Sequence, residues 1–231
     1  MKILVVGATG FIGKELVKKL REKFPKAVIY ELSRHGKIKC DLARMNDVCI
    51  KKLSDIRFDL IIFLAAKIWY TWLPSPYPYK TFYAINVLGM KRIIQTTKAK
   101  KFIYISSLAV LGKSLRKIKP RGFYGLSKYI AERECIRLLD RRCLIIRLPM
   151  IYDAKEMKLE TKIFYSLRFL IKLLKSLTKK ISIRVLSRNE AINKIISSLS
   201  KKGIIAIYGK KISIYDFVKT LEKERKAIQC T

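Results

Sequence analysis

The sequence has a single histidine, His35, and only five cysteines, Cys40, Cys49, Cys135, Cys143 and Cys230, no two of which form a C-x-x-C pair. With no spaced Cys/His cluster, a zinc site has no ligand set to draw on, and no metal is expected. An odd cysteine count with no secretion signal argues against a disulfide framework and for small core or surface thiols. Long apolar runs are missing too. The run Ile3 to Val6 stops at Gly7, far short of a signal-peptide core or a membrane span, so the cytoplasm is the expected location. No Pro, Ser or Gln tract marks a linker or a disordered arm.

Acidic residues are the scarcest class in proportion. Seventeen Asp+Glu stand against 51 Lys+Arg, a formal net charge of +34. No acidic residue occurs from Leu60 to Ala131, nor from Thr161 to Asn189, where Lys162, Arg168, Lys172, Lys175, Lys179, Lys180, Arg184 and Arg188 fall. Such a field attracts polyanions: phosphorylated small molecules, nucleic acid, an anionic membrane surface or an acidic partner. Composition does not choose among these, or between them and a general basic bias that only solvates the surface.

The 231 residues, half of them apolar, suffice for one main core with a small appendage. Lys2 to Val6 is a β-branched apolar run ending in glycine, which predicts a strand buried on both faces of a parallel sheet. Phe11, Ile12, Leu16, Val17 and Leu20 then recur at helical spacing. Further strands are predicted at Ala27 to Leu32, Ile38 to Cys40, Leu60 to Leu64, Phe102 to Ile105 and Leu144 to Leu148. Helices are predicted at Val48 to Leu53, from about Thr81, and from Tyr124 to Leu139. Trp69 to Tyr79, with Pro74, Pro76 and Pro78, reads as an irregular loop. Alternating strands and helices predict an α/β fold with a doubly wound parallel sheet, a Rossmann arrangement.

Gly7-Ala8-Thr9-Gly10-Phe11-Ile12-Gly13 lies between the first strand and the first helix. Glycines there permit a tight turn and close backbone approach, and the free N–H groups at the helix start hold a pyrophosphate. About twenty residues on, Glu31 stands where a carboxylate binds the adenosine ribose hydroxyls. That favours NAD, although Arg34, three residues later, would serve the 2′-phosphate of NADP. Asp41 suits either an adenine amino group or a helix cap before Leu42.

Tyr124 and Lys128 are four apart on a predicted helix, hence on one face. A phenol with an ordinary pKa near ~10 is a poor base at neutral pH, and an adjacent ammonium favours its phenolate. Taken alone, such a pair is usually a surface feature. Ser106-Ser107 closes the strand Phe102 to Ile105, where loops open onto a ligand crevice and a hydroxyl can hold a reacting oxygen.

Taken together, these motifs resemble an extended short-chain dehydrogenase/reductase of the NAD-dependent epimerase/dehydratase family. The likeness covers roughly residues 1 to 153. It includes Asp41-Leu42, Leu64-Ala65-Ala66, Asn86 heading a helix with Gly89, the stretch Ile105 to Gly112, and Arg147-Leu148-Pro149-Met150-Ile151-Tyr152. The resemblance implies that Tyr124 is the acid/base, that Ser107, five residues before Gly112, fixes the substrate oxygen, and that Lys128 binds the nicotinamide ribose and lowers the tyrosine pKa. It further implies that Asn86 supports the region near Lys128, that Ala65 and Ala66 line the cofactor, with Leu64 beside them, and that Pro149 lies near the nicotinamide.

The implied organisation is an NAD(P)-binding domain over 1–153 and a small C-terminal substrate portion over 154–231, packed on the first and partly interleaved with it. The implied substrate is a secondary alcohol or ketone, most often in a nucleotide-activated sugar, and the implied partner is a second copy. Leu108-Ala109 stand where sugar-nucleotide dehydratases resemble one another in having an acidic pair, which disfavours dehydration. Arg184 and Arg188 are candidates for a substrate pyrophosphate, against the reading of a solvated basic face. The rival is a non-catalytic dinucleotide-binding protein whose basic surface engages RNA or an assembly partner. Residues 163 to 177 predict one amphipathic helix with Leu167, Leu170, Leu173, Leu174 and Leu177 on an arc that packs on its own domain, in preference to lying on an anionic membrane.

Overall fold

Four consecutive residues of the first strand, Ile3 to Val6, are fully buried, as a strand with neighbours on both sides and helices on both faces requires. A computed structural model describes residues 1–44, 47–69, 75–112 and 115–229. The first half runs β1 (Lys2–Val6), α1 (Gly13–Lys23), β2 (Val28–Ser33), β3 (Ile38–Lys39), α2 (Asp47–Ser54), β4 (Arg57–Phe63), α3 (Tyr79–Phe82), a π-helical turn (Tyr83–Gly89), α4 (Met90–Thr96) and β5 (Lys98–Ser107). It continues with a 3-10 turn (Leu108–Val110), α5 (Gly122–Leu139), β6 (Cys143–Leu148), β7 (Met150–Tyr152), α6 (Leu159–Ser166), α7 (Arg168–Leu173) and α8 (Lys175–Lys180). Then come β8 (Ser182–Ser187), α9 (Arg188–Ser197), β9 (Gly203–Ala206), β10 (Lys210–Ser213) and α10 (Ile214–Gln229).

The chain divides into two compact units. The first comprises Met1–Arg147 and Ile192–Ala206; the second comprises Leu148–Ala191 and Ile207–Thr231.

The first unit carries a seven-stranded sheet in the order β3-β2-β1-β4-β5-β6-β9. The pairings of β1 with β2 and β4, β2 with β3, β4 with β5, and β6 with β9 are all parallel. The chain winds outward from β1 to β3 and then crosses back to β4, which makes the β1/β4 boundary the point where ligands enter such sheets. The main core includes Leu4, Val6 and Leu32, the rings of Phe58, Phe63, Phe102 and Tyr104, and Ala131 and Cys135 of α5. Each large apolar side chain fully buried there contributes about 1.5–3 kcal/mol. Phe63 stacks on Phe102 at 6.2 Å and leans on Tyr104 at 5.9 Å, which ties β4 to β5.

The second unit has a three-stranded sheet, β10-β8-β7, in which β8 runs parallel to β7 and antiparallel to β10. Phe217 of α10 is its centre, with the edges of Tyr152 at 5.2 Å and Phe164 at 5.8 Å meeting it. The helices α6, α7 and α8 pack along α10.

Four expectations need correction. Cys40 and Cys49 are joined by a disulfide, Cα to Cα 5.8 Å, because β3 and α2 bring them side by side; Cys135 and Cys143 are free and buried. The helix predicted over 163 to 177 is broken into α6, α7 and α8 at Leu167 (ψ 10) and Leu174 (ψ 38), although Ile171 still bonds back to Leu167 and Thr178 to Leu174. Its leucine arc is exposed instead of packed; Ile171 and Thr178 turn inward. Part of the predicted loop over Trp69 to Tyr79 falls on residues 70–74, outside the described residues, and Tyr79 already begins α3.

Candidate functional site

Register places the candidate residues on one edge of the sheet. Val6 of β1 pairs with Phe63 of β4, and Phe63 with Tyr104 of β5. The residues just past those positions, Gly7, Leu64 to Ala66 and Ile105 to Ser107, therefore emerge together at the C-terminal ends of three adjacent strands, spanning about 10 Å at two interstrand spacings.

The turn after β1 is closed by backbone contacts that exclude side chains. Gly7 has φ +89, and its N–H bonds to the Leu32 carbonyl at 2.7 Å; a Cβ there would lie 2.8 Å from the Ala65 nitrogen. The N–H groups of Leu64 and Ala65 both bond to the Val6 carbonyl, which pins the end of β4 against this turn. A Cβ at Gly13 would lie 2.1 Å from the Gly7 oxygen, and one at Gly10 would lie 3.1 Å from it. The helix start at Ile12 has no side-chain cap, and Thr9 and Gly10 are exposed with Phe11 and Ile12 half-buried. A bare helix start with a side-chain-free approach is a cradle for an anion such as pyrophosphate.

Glu31 sits inside β2 opposite Val5, and its carboxylate is ion-paired with Arg21 of α1. The strand's last residue is Ser33, which reasoning from sequence passed over. Its Oγ lies 2.9 Å from Thr9 Oγ1 and accepts the His35 N–H, so Ser33 stands beside the glycine turn, and Arg34, the next residue, is exposed. Asp41 Oδ1 accepts the Ala43 N–H in a local turn, and Leu42 is buried against Gly89 while its carbonyl accepts from Arg92.

Asn86 does not head a helix; it lies in the π-helical turn Tyr83–Gly89, fully buried. A π-turn rotates one extra residue into the ladder and is often found at functional sites. Asn86 Oδ1 accepts the Lys67 N–H at 2.7 Å, and its Nδ2 donates to the Lys67 carbonyl at 2.9 Å and to Ser127 Oγ at 2.8 Å. Ser127 in turn donates to the Tyr124 carbonyl at 2.8 Å. The relay couples the segment after β4 to the turn of α5 that bears Tyr124. Ser127, missed in the sequence, is recognisable only once α5 and the π-turn are adjacent.

Lys128 is 1% exposed. Its Nζ donates to the Ile105 carbonyl at 2.6 Å and lies 4.0 Å from the centre of the Tyr104 ring. Burial strips water from the ammonium and pulls its pKa down to about 7, with the Glu132 carboxylate opposing the shift. Ser106 is committed to that carboxylate, Oγ to Oε1 2.5 Å, and Arg147 grips it with two hydrogen bonds of 2.9 and 2.6 Å. Ser107 is half-buried, and its Oγ accepts the Ala109 N–H at 3.1 Å as the cap of the 3-10 turn. A Cβ on Gly125 would lie 2.5 Å from the Ala109 oxygen. Ser107 is thus bracketed: Lys128 holds the strand two residues before it, and Gly125, next to the half-buried Tyr124, abuts the turn two residues after it.

Pro149, Arg184 and Arg188 belong to the second unit. Gly209 approaches Pro149, the Arg184 guanidinium lies 5.4 Å from the centre of the Tyr208 ring, and Arg188 is buried between Asp153 at 2.8 Å and Glu156 at 2.6 Å.

The sequence profile of the NAD dependent epimerase/dehydratase family matches residues 3–217. Among curated proteins, GDP-6-deoxy-D-talose 4-dehydrogenase of Aggregatibacter actinomycetemcomitans is 32% identical over 147 residues, covering 57% of this chain and 46% of that enzyme, so the match spans under half of the relative's length. Among solved structures, Helicobacter pylori ADP-L-glycero-D-manno-heptose-6-epimerase aligns over 97% of this chain and 82% of its own at 18% identity, TM-score 0.76. UDP-glucuronic acid 4-epimerase from Bacillus cereus, in complex with NAD, aligns over 96% and 82% at 22%, TM-score 0.71. RMD from Pseudomonas aeruginosa, complexed with NADPH, aligns over 98% and 85% at 19%, TM-score 0.74. At these identities the structural likeness speaks for the fold.

Proposed function

Because this chain belongs to the NAD-dependent epimerase/dehydratase family, we propose that it binds a nicotinamide dinucleotide and acts as an oxidoreductase or epimerase on a secondary alcohol or ketone of a nucleotide-activated sugar. The observation that carries this reading is the bracketing of Ser107 by Lys128 and Gly125, on the same sheet edge as the side-chain-free turn at Gly7.

The residues fit the cofactor. Gly7, Gly10 and Gly13 leave a cradle that any Cβ would fill, and the helix start at Phe11 and Ile12 offers N–H groups to a pyrophosphate. Thr9, Leu64, Ala65 and Ala66 would line the approach, and the family pattern assigns Asp41 and Leu42 to the adenine end and Pro149 to the nicotinamide. When bound, the nicotinamide supplies hydride acceptance and donation.

The remaining chemistry belongs to the chain. Ser107 holds the reacting oxygen by a hydrogen bond, and Tyr124 takes the hydroxyl proton as that carbon is oxidised and returns one on reduction. Lys128 binds the ribose next to the nicotinamide and, when protonated, lowers the cost of a phenolate on Tyr124, four residues away on the same helical face. Burial holds the Lys128 ammonium at a pKa of about 7, so its charge, and with it the support for a phenolate on Tyr124, varies around neutral pH. Asn86, through Ser127, positions the helical turn that carries Tyr124. Arg184 and Arg188 are the candidate grips on a substrate pyrophosphate, Arg188 being already ion-paired with Asp153 and Glu156.

Glu31 favours an adenosine ribose with free hydroxyls, hence NAD. Its ion pair with Arg21, the placement of Ser33 beside the glycine turn and the exposed Arg34 next in sequence support acceptance of NADP as well. The test is to identify by mass spectrometry the nucleotide retained by the purified protein and then to assay it against a panel of sugar nucleotides. A retained NAD(H) or NADP(H) with turnover on one of them is the expected result. Absence of both, with salt-dependent retention of RNA, would replace this reading by the non-catalytic one.

A further inference from the structure

The second unit exposes an apolar face that its own core does not use. Leu170, Leu173, Leu174 and Leu177 follow one another at steps of three, one and three, which puts them on one side of successive helical turns. The i to i−4 hydrogen bonds Leu174 to Leu170 and Thr178 to Leu174 carry that side across the break between α7 and α8. Leu173 is 82% exposed, Leu177 55%, and neighbouring Phe169 70%. The opposite side is accounted for: Ile171 and Thr178 are buried, and Lys172 is ion-paired at 2.8 Å with Glu222 of α10. Single exposed leucines are ordinary, whereas a run of them on one face marks an interaction site.

Cations predominate beside this face, the nearby carboxylates of Asp216 and Glu222 being held by Ser213 and Lys172. Lys175 and Lys179 of α8 and Lys219 of α10 gather around the buried ring of Tyr215, their ammonium groups 5.8, 5.6 and 4.9 Å from its centre. Lys162 and Lys180 are exposed on the same stretch, which has no acidic residue from Thr161 to Asn189. Three cations around one ring repel one another unless an anion sits among them. A second copy meeting this face through a two-fold axis would bring the same lysines against themselves. RNA would meet the cations but gain little from leucines. An anionic bilayer satisfies both halves, because its headgroups take the lysines while the leucines enter the boundary below them.

We propose that residues 162–181 form an interfacial docking surface for an anionic phospholipid bilayer, with Leu170, Leu173, Leu174 and Leu177 inserted and Lys175, Lys179 and Lys219 at the headgroups. No described helix is long and apolar enough to cross a membrane, so the segment lies along the surface.

The test is flotation of the full-length purified protein with vesicles of phosphatidylcholine alone and of phosphatidylcholine mixed with phosphatidylglycerol in roughly equal parts. Two double variants accompany it, Leu173→Ser with Leu177→Ser and Lys175→Glu with Lys179→Glu. All four positions are exposed, and unchanged thermal melts verify folding. The expected result is partition to the anionic vesicles alone, weakened by salt. Partition should fall about tenfold or more in each variant, since a lysine near such a surface is worth about fivefold. Failure of the wild type to float with anionic vesicles overturns the proposal. So does unchanged flotation of the leucine variant, which would place binding in the general charge. A wild-type dimer that the leucine variant splits, without vesicle binding, overturns it in favour of self-association.

Discussion

The Lys128 ammonium donates to the Ile105 carbonyl at 2.6 Å and is thereby fixed at the strand end, in a place almost devoid of solvent. A lysine that ordinarily titrates near 10.5 is held there at about 7. Between these two values the unfolded chain keeps a proton that the folded chain has lost, so the stability of the cofactor-free protein rises with pH across that window; below it the burial penalty is constant. Urea titrations at a series of pH values should show a rising contribution in the wild type that Lys128→Met abolishes.

Replacing Tyr124 by Phe removes the only proton the phenol can exchange and leaves the ring's packing intact. Turnover on the identified substrate should drop by about 10²–10⁴ while dinucleotide affinity stays within a few-fold. Stopped-flow reduction of bound cofactor together with equilibrium titration separates the two. Full turnover would remove Tyr124 from its role.

Glu132 has a structural character: its buried carboxylate holds Ser106 and Arg147 at once. Glu132→Gln leaves the Arg147 guanidinium buried without its counter-charge and should cost about 3–5 kcal/mol in chemical denaturation. The double change Glu132→Met with Arg147→Met should recover much of that loss, since an apolar pair of similar volume leaves no buried charge, the remainder being the Ser106 hydroxyl left without its acceptor.

At the glycine turn the test is steric. Gly13→Ala sets a Cβ where the Gly7 oxygen stands at 2.1 Å, so the turn must open. Thermal shift with NAD and NADP should then show little or no ligand-induced stabilisation, with the variant itself less stable by about 1–3 kcal/mol.

Tyr104 offers a change in the other direction. Its hydroxyl is buried with no hydrogen-bond partner among the described residues, and desolvation raises its pKa well above the ordinary phenol value. Tyr104→Phe deletes a desolvated polar group and keeps the ring under Lys128. The protein should be as stable or more stable, by up to about 1 kcal/mol. A clear loss would mean that the hydroxyl has a hydrogen-bond partner in the folded protein.

Much of the first unit was legible because its signals are local. The run Ile3 to Val6 with Gly7 after it, the Leu16-Val17-Leu20 periodicity and the apolar runs of β4, β5 and β6 each announce their own element. The glycine turn and the placement of Tyr124 and Lys128 four apart on α5 follow from spacing alone. What stayed hidden depends on contacts distant in sequence. The partners of Asn86 at Lys67 and Ser127 arise only after β4, the π-turn and α5 assemble. Cys40 and Cys49 looked unpaired because no spacing rule covers them. The leucines of α7 and α8 show helical periodicity, which states that a face exists and not whether the unit covers it. Short strands such as β7, β9 and β10 are set by their neighbours more than by their residues.

The far edge of the large sheet is β9, which pairs Gly203–Ala206 with Leu144–Arg147 of β6. During synthesis β6 therefore leaves the ribosome with one flank open, and its hydrogen-bonding groups face water while the whole intervening segment is made. Pairing across such a gap is slow, and a bare strand flank invites neighbouring chains. A chain cut after residue 153 would carry that open flank permanently, so solubility of a truncated product, more than loss of its ligand, is where this topology first makes itself felt.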